Sequence, residues 1–260
     1  MDLLNFSVED FKIFILVLSR VSILIFMFPI FRSPMFPDAA KAGLALLLSF
    51  LFFPSVKIHI QTIPSNAIEI LIMILAESII GLTLGLVVSI FFGAVQFAGY
   101  LVGFQMSFAI ANVLDPLSGE QISIIQQMAY LMALILFLLF NGHLLMISAI
   151  QDSFGLIQVG FISIKKSLFF QIMTMSGNLF LLGIKISAPP FAACFFVDVA
   201  FGIISKFTPQ IPILIVGMPI KIGVGLLFFG VSMKVIMIFT KSFVEQFPTT
   251  LRILILLMGS

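Results

Sequence analysis

The side chains able to do chemistry in this chain are few and scattered through apolar surroundings. Glu69 and Glu77 fall in one apolar stretch, and Lys185, Asp198, Lys221 and Lys234 in later ones. An ionisable group at membrane depth is costly facing lipid, so each is expected to face a cavity, a partner or an opposite charge. A proton relay is the sharper reading of such groups; pairing and snorkelling are the simpler ones. Cys194 is the single cysteine, so no internal disulfide can form, and it reads as a small buried apolar residue. Together with the two distant histidines, His59 and His143, it falls far below the ligand count of a metal site. His59, near Pro54 and Pro64, reads as a loop residue, and His143, after Asn141-Gly142, as a helix-end or interface residue. The chain contains no HExxH, no GxSxG and no phosphate-cradling GxxxxGK[ST], nor two carboxylates at a recognisable acid/base spacing. The expectation is therefore no catalytic residue, no metal and no cofactor. An intramembrane enzyme would need its titratable groups to converge in one pocket, which only a structure tests.

The elements that carry these residues follow from composition. Of 260 residues, 61% are hydrophobic and only 9% charged, with mean hydropathy +1.28. A soluble domain is about a quarter charged, so lipid or partner subunits must cover the exterior. The net charge of +2 and the absence of a basic run beyond Lys165-Lys166 argue against nucleic acid. The opening MDLLNFSVED carries acid and no base, so the first apolar stretch is expected to be retained as a helix rather than cleaved as a signal. Apolar stretches cover 11–31, 39–56, 67–95, 97–114, 122–140, 169–197 and 211–239, with short ones at 143–150 and 251–258. They do not alternate as barrel strands do, so helices are expected. The fold expected is all-α: a polytopic membrane protein of about seven apolar helices in hairpins, forming a single unit over 1–260. Stretch 67–95 would make a helix of about 43 Å, longer than a hydrocarbon layer of about 30 Å. Pro189, Pro190, Pro209, Pro212 and Pro219 predict proline-broken segments near the C-terminus. Broken helices at membrane depth are tolerated against protein or a water-filled cavity, which favours an assembly around a pathway.

Small residues recur every fourth position at Gly81, Gly85, Ser89 and Gly93, and again at Gly99, Gly103, Ser107 and Ala111. Such stripes let backbones approach closely, either between subunits or within one chain. The polar interval NVLDPLSGEQI at 112–122 lies between two apolar segments. Pro116 pushes Asp115 toward extended geometry, Ser118-Gly119 marks a turn, and Ser118 with Gln121 has the spacing of a capping box. Asn141-Gly142 is the expected stop of the helix that follows.

Three strings, AGYLVGFQMSFAIANVLDPLSGEQISII, NGHLLMISAIQDSF and APPFAACFFVDVAFGIISKFTPQIPILIVGMPIKIGVGLL, resemble the FliR/SctT family of type III secretion export-gate proteins. The likeness extends over essentially the whole chain, and the wording GFQMSFAIANVLDP is closer to the flagellar branch. Lys206 and Pro212 stand where many members carry arginine and asparagine. The resemblance implies a non-enzymatic gate subunit in the bacterial inner membrane, within the flagellar basal body. Its implied neighbours are FliP-like and FliQ-like subunits and FlhB-like and FlhA-like export components, and its implied cargo is unfolded protein. It also implies that the segment from Met106 to Ile122 plugs the channel, with Met106, Phe108, Ile110, Val113 and Leu114 as a dry constriction and Asp115 and Pro116 at its bend. An injectisome subunit of the same family is the alternative. A small-solute transporter is a more remote one, expected to show an internal repeat that is not found here.

Overall fold

In the computed structural model, residues 7–32, 36–57, 64, 66–107, 123–210 and 213–259 are described, and among them are seven α-helices and no strand. The helices are α1 Val8–Met27, α2 Asp38–Lys57, α3 Ala67–Gln105, α4 Ile124–Leu139, α5 Gly142–Leu156, α6 Lys166–Phe207 and α7 Ile213–Gly259, with a 3-10 turn at Pro29–Arg32 after α1. The protein is an all-α polytopic membrane protein. Helices α2, α3, α6 and α7 are each long and apolar enough to cross a membrane. The pair α4 and α5 meets that condition only jointly.

Local chemistry explains these boundaries. Ser7 caps α1 by accepting from the Asp10 amide at 3.1 Å, while the Asp10 carboxylate accepts from the Ser7 amide at 3.2 Å. The reciprocal pair satisfies two donors that a helix start would otherwise leave open. Lys57, at the end of α2, reaches back to Asp10 at 2.5 Å. Helix α4 stops where expected: Asn141 adopts a left-handed backbone, φ 60°, a conformation asparagine tolerates better than most residues.

Two expectations about helix breaks are corrected. Stretches 67–95 and 97–114 are not separate up to Gln105, because α3 runs through Gln96 without interruption. A lone glutamine has good helix propensity and supplies no reason to stop. Pro189 and Pro190 lie inside α6, and Pro219 lies inside α7, which continues through the short stretch at 251–258. Proline removes one backbone donor, but packing neighbours can hold the helix through that loss. Pro209 does sit at the turn between α6 and α7, while Pro212 lies outside the described residues.

The chain forms two compact units interleaved along the sequence. The first comprises Met1–Ile90, Asn141–Met175 and Val244–Ser260. Its buried interior includes Leu16, Val17 and Val21 of α1, Ile80 and Leu84 of α3, Ile150 of α5 and Leu254 of α7. A Cβ on Gly81 would come within 2.5 Å of the Arg20 carbonyl oxygen, so α1 and α3 cross at backbone contact there. The second unit comprises Phe91–Phe140 and Ser176–Phe243. Aromatic rings fill much of its interior: Phe91 stacks on Phe243 at 4.1 Å, and Phe92 meets the edge of Phe137 at 5.6 Å. Ser232 of α7 donates to the Ile186 carbonyl of α6 at 2.8 Å.

Large apolar side chains also cover the outside. Leu47, Phe196, Phe207 and Leu227 are all at least two-thirds exposed on this single chain. Surface of that kind matches a lipid or subunit environment rather than water.

Candidate functional site

The small-residue stripe on α3 brings its C-terminal end against α4 in the second unit. A Cβ on Gly99 would approach Gln126 Cα to 2.5 Å, and one on Gly103 would approach Ser123 Cβ to 2.9 Å and its hydroxyl closer still. Ser123 is the residue that opens α4. Thus the point where the chain leaves α3 and the point where it enters α4 are in contact. Between them lies the interval that carries the predicted plug. Met106, its first apolar member, is fully buried, and Gly225 of α7 leaves the space its side chain fills. Ser107 follows with a left-handed backbone, φ 67°, an uncommon conformation for a residue with a Cβ. Phe108, Ile110, Val113, Leu114, Asp115 and Pro116 lie outside the described residues, as do Ser118 and Gln121.

The rest of the stripe packs within the chain too. Gly85 faces the Met27 side chain, with Met27 Cβ 2.8 Å from where its own Cβ would be, and Ser89 donates to the Met27 carbonyl at 3.4 Å. Gly93 faces Leu179. Of the two readings left open for these glycines, contact within one chain accounts for Gly81, Gly85, Gly99 and Gly103.

Charges among the apolar helices fall into two buried or half-buried groups. In the second unit, Lys221 of α7 is ion-paired with Asp198 of α6, and the Gln105 side-chain amide donates to the other Asp198 oxygen at 3.2 Å. The Cys194 thiol lies 3.7 Å from the Lys221 carbonyl and is buried, as its apolar reading required. In the first unit Glu77 and Arg20 are both wholly buried. Arg20 donates to the two Glu77 oxygens at 2.5 and 3.0 Å and to the Ser153 hydroxyl at 3.0 Å. The Gly160 amide donates to Glu77 at 2.7 Å, and the guanidinium lies 4.2 Å from the Phe154 ring centre. Fork-shaped pairing with each of the three guanidinium nitrogens hydrogen-bonded is what makes a buried ion pair tolerable.

Opposite-charge pairing therefore holds for Glu77, Asp198 and Lys221. It does not hold for Glu69, Lys185 and Lys234, which are exposed on the surface of the chain and form no ion pair among the described residues. Arg20 is the member that reading the sequence missed. Its signal was present, since it is the base deep inside stretch 11–31, with Lys12 only at the edge of that stretch. His143 lies in the first turn of α5, with Nδ1 buried and without a hydrogen-bond partner among the described residues.

Within each unit the paired groups are taken up by ion pairs and hydrogen bonds to one another. A cavity of about 550 Å³ in the first unit is lined by α2, α5 and α7 residues including Phe52, Val56, Asp152 and Arg252, but not by Glu77. Among the described residues no cluster of histidine, cysteine and carboxylate side chains could hold a metal. Nothing in the arrangement points to catalysis.

Residues 11–247 match the family described as bacterial export proteins, family 1. Over 261 aligned residues the chain is 35% identical to the flagellar biosynthetic protein FliR of Bacillus subtilis (strain 168), covering 98% of this chain and 99% of that protein. It is 29% identical to the protein of the same name from Pectobacterium carotovorum subsp. carotovorum, covering 90% of this chain and 88% of that one. Against the Escherichia coli (strain K12) FliR protein the identity is also 29%, with 84% and 83% covered.

Proposed function

The chain belongs to the bacterial export proteins, family 1, and acts as a membrane-embedded component of the flagellar export apparatus; we propose that it closes the substrate channel there with the interval 106–122. In this reading it assembles with FliP-like and FliQ-like subunits in the bacterial inner membrane, beside FlhB-like and FlhA-like components, and unfolded protein passes through the gate. It is not an enzyme. The flagellar setting is favoured over the injectisome one because the relatives above are flagellar proteins by name.

One observation carries the channel-closing reading. Both ends of the interval are fixed at the same place, Met106 seated on Gly225 and Ser123 clamped on Gly103. An element anchored at its foot can move as a body without unravelling the helices that bear it. The apolar residues Phe108, Ile110, Val113 and Leu114 then supply a constriction that water wets poorly.

The test uses the assembled complex in cells. Converting Phe108 and Ile110 to serine, or deleting residues 110–118, should raise the leakage of ions and small solutes while copurification with the FliP-like and FliQ-like subunits persists. An assembled variant with unchanged permeability would refute the closing role.

A further inference from the structure

We propose that Asp198, Lys221 and Gln105 are positioning residues, a latch that holds the end of α3 and with it the foot of the gate interval; this rests on the closing role proposed above. One carboxylate of α6 makes both connections. One Asp198 oxygen pairs with Lys221 of α7, and the other accepts from Gln105, the last residue of α3. The next residue, Met106, is fully buried on Gly225. Lys221 and Gly225 are four residues apart and so share one face of α7. That face therefore fixes two successive residues of the α3 end, Gln105 through the Asp198 carboxylate and Met106 by direct packing.

Ser107 shows why a hold is needed there. Its left-handed backbone is disfavoured for a residue with a Cβ and persists only where the surroundings impose it. Charge chemistry makes the hold switchable between two states rather than soft. With Asp198 neutralised, Lys221 in an apolar helix loses its counter-charge and turns toward water, and Gln105 loses a charged acceptor. The α3 end is then free to relax at Ser107, which displaces Met106 from Gly225.

The experiment compares Asp198→Asn, Gln105→Leu and the exchange Asp198→Lys with Lys221→Asp, each in the purified export-gate complex with its native partner subunits. Amide hydrogen exchange over residues 102–107 reads the latch, and ion leakage from proteoliposomes reads the gate. Both single variants should exchange about tenfold faster over 102–107, the factor expected for losing one hydrogen bond to a charged group. The charge exchange should restore protection, since glutamine accepts from lysine as readily as it donates to aspartate. Faster exchange with increased leakage supports both the latch and the closing role. Faster exchange with no change in leakage leaves the latch standing and defeats the closing role. Unchanged exchange in Gln105→Leu, which keeps both charges paired and so decides the matter if Asp198→Asn fails to assemble, overturns the latch.

Discussion

Replacing Glu77 by glutamine leaves the shape of the Arg20 site almost unchanged and removes its counter-charge. Arg20 and Glu77 have no solvent-exposed side-chain surface, so water cannot screen what remains. Removing one partner of a buried pair costs about 3–5 kcal/mol, and removing both in favour of apolar residues of similar volume is often neutral. Two further hydrogen-bond partners bear on the outcome: the Ser153 hydroxyl accepts from Arg20, and the Gly160 amide donates to Glu77 at 2.7 Å. An orphaned buried amide costs about 1–3 kcal/mol. Glu77→Gln keeps a carbonyl oxygen for Gly160 and should lose about 3 kcal/mol, nearer the lower end of that range. Arg20→Met should lose about 4 kcal/mol, because it also abandons the Phe154 ring and leaves the carboxylate alone. The double variant, Arg20→Met with Glu77→Met, should lose only about 1–3 kcal/mol, the cost of the Gly160 amide. The measurement is denaturant unfolding of the detergent-solubilised complex for the unchanged protein, Arg20→Met, Glu77→Met and the double variant, read as the coupling between the two sites, with Glu77→Gln measured beside them. Single losses that simply add in the double variant would refute the claim that the two charges need each other.

The other predictions concern backbone. Gly81→Ala should destabilise the first unit by about 1–3 kcal/mol, because its Cβ meets the Arg20 carbonyl rather than a flexible side chain. Gly177→Ala, where no atom lies within 4 Å, should leave thermal stability unchanged or raise it by about 0.5–1 kcal/mol. Asn141→Ala should cost about 1 kcal/mol and Asn141→Gly nothing, since the φ of 60° is all the position demands; melting temperatures of the two variants decide it. Gly103→Leu should displace Ser123 and the start of α4, lowering recovery of the complex proposed above; normal recovery would show that the α3–α4 contact yields without consequence.

Much of this architecture was legible in the sequence, and the gaps have definite causes. Asn141-Gly142 announced its turn because asparagine and glycine are the residues that tolerate a left-handed backbone. The four-residue spacing of Gly81, Gly85 and Ser89 announced a close helix crossing, but spacing carries no information on whose helix is crossed. The answer, α1 of the same chain, came from Arg20 and Met27. Glu77 was recognisable as a residue needing a partner. Its partner lies 57 positions away, and periodicity within a window does not reach that far. Proline gave the least reliable signal. Pro189, Pro190 and Pro219 continue as helix because apolar surroundings offer the backbone no better alternative.

The interleaving of the first unit has a consequence for how the protein is made. Its interior draws on residues before 90, around 150 and after 244, and the Ser163 amide binds the Met258 carbonyl at 2.8 Å to close it. At a synthesis rate of about 5–20 residues per second, α1 and α3 wait roughly 10–35 s for the last residues to emerge. During that interval Leu16, Val17 and Ile80 are without Leu254 and Met258, which are buried members of the same unit. A chain released before residue 244 is made therefore has its first-made helices without part of the unit they belong to.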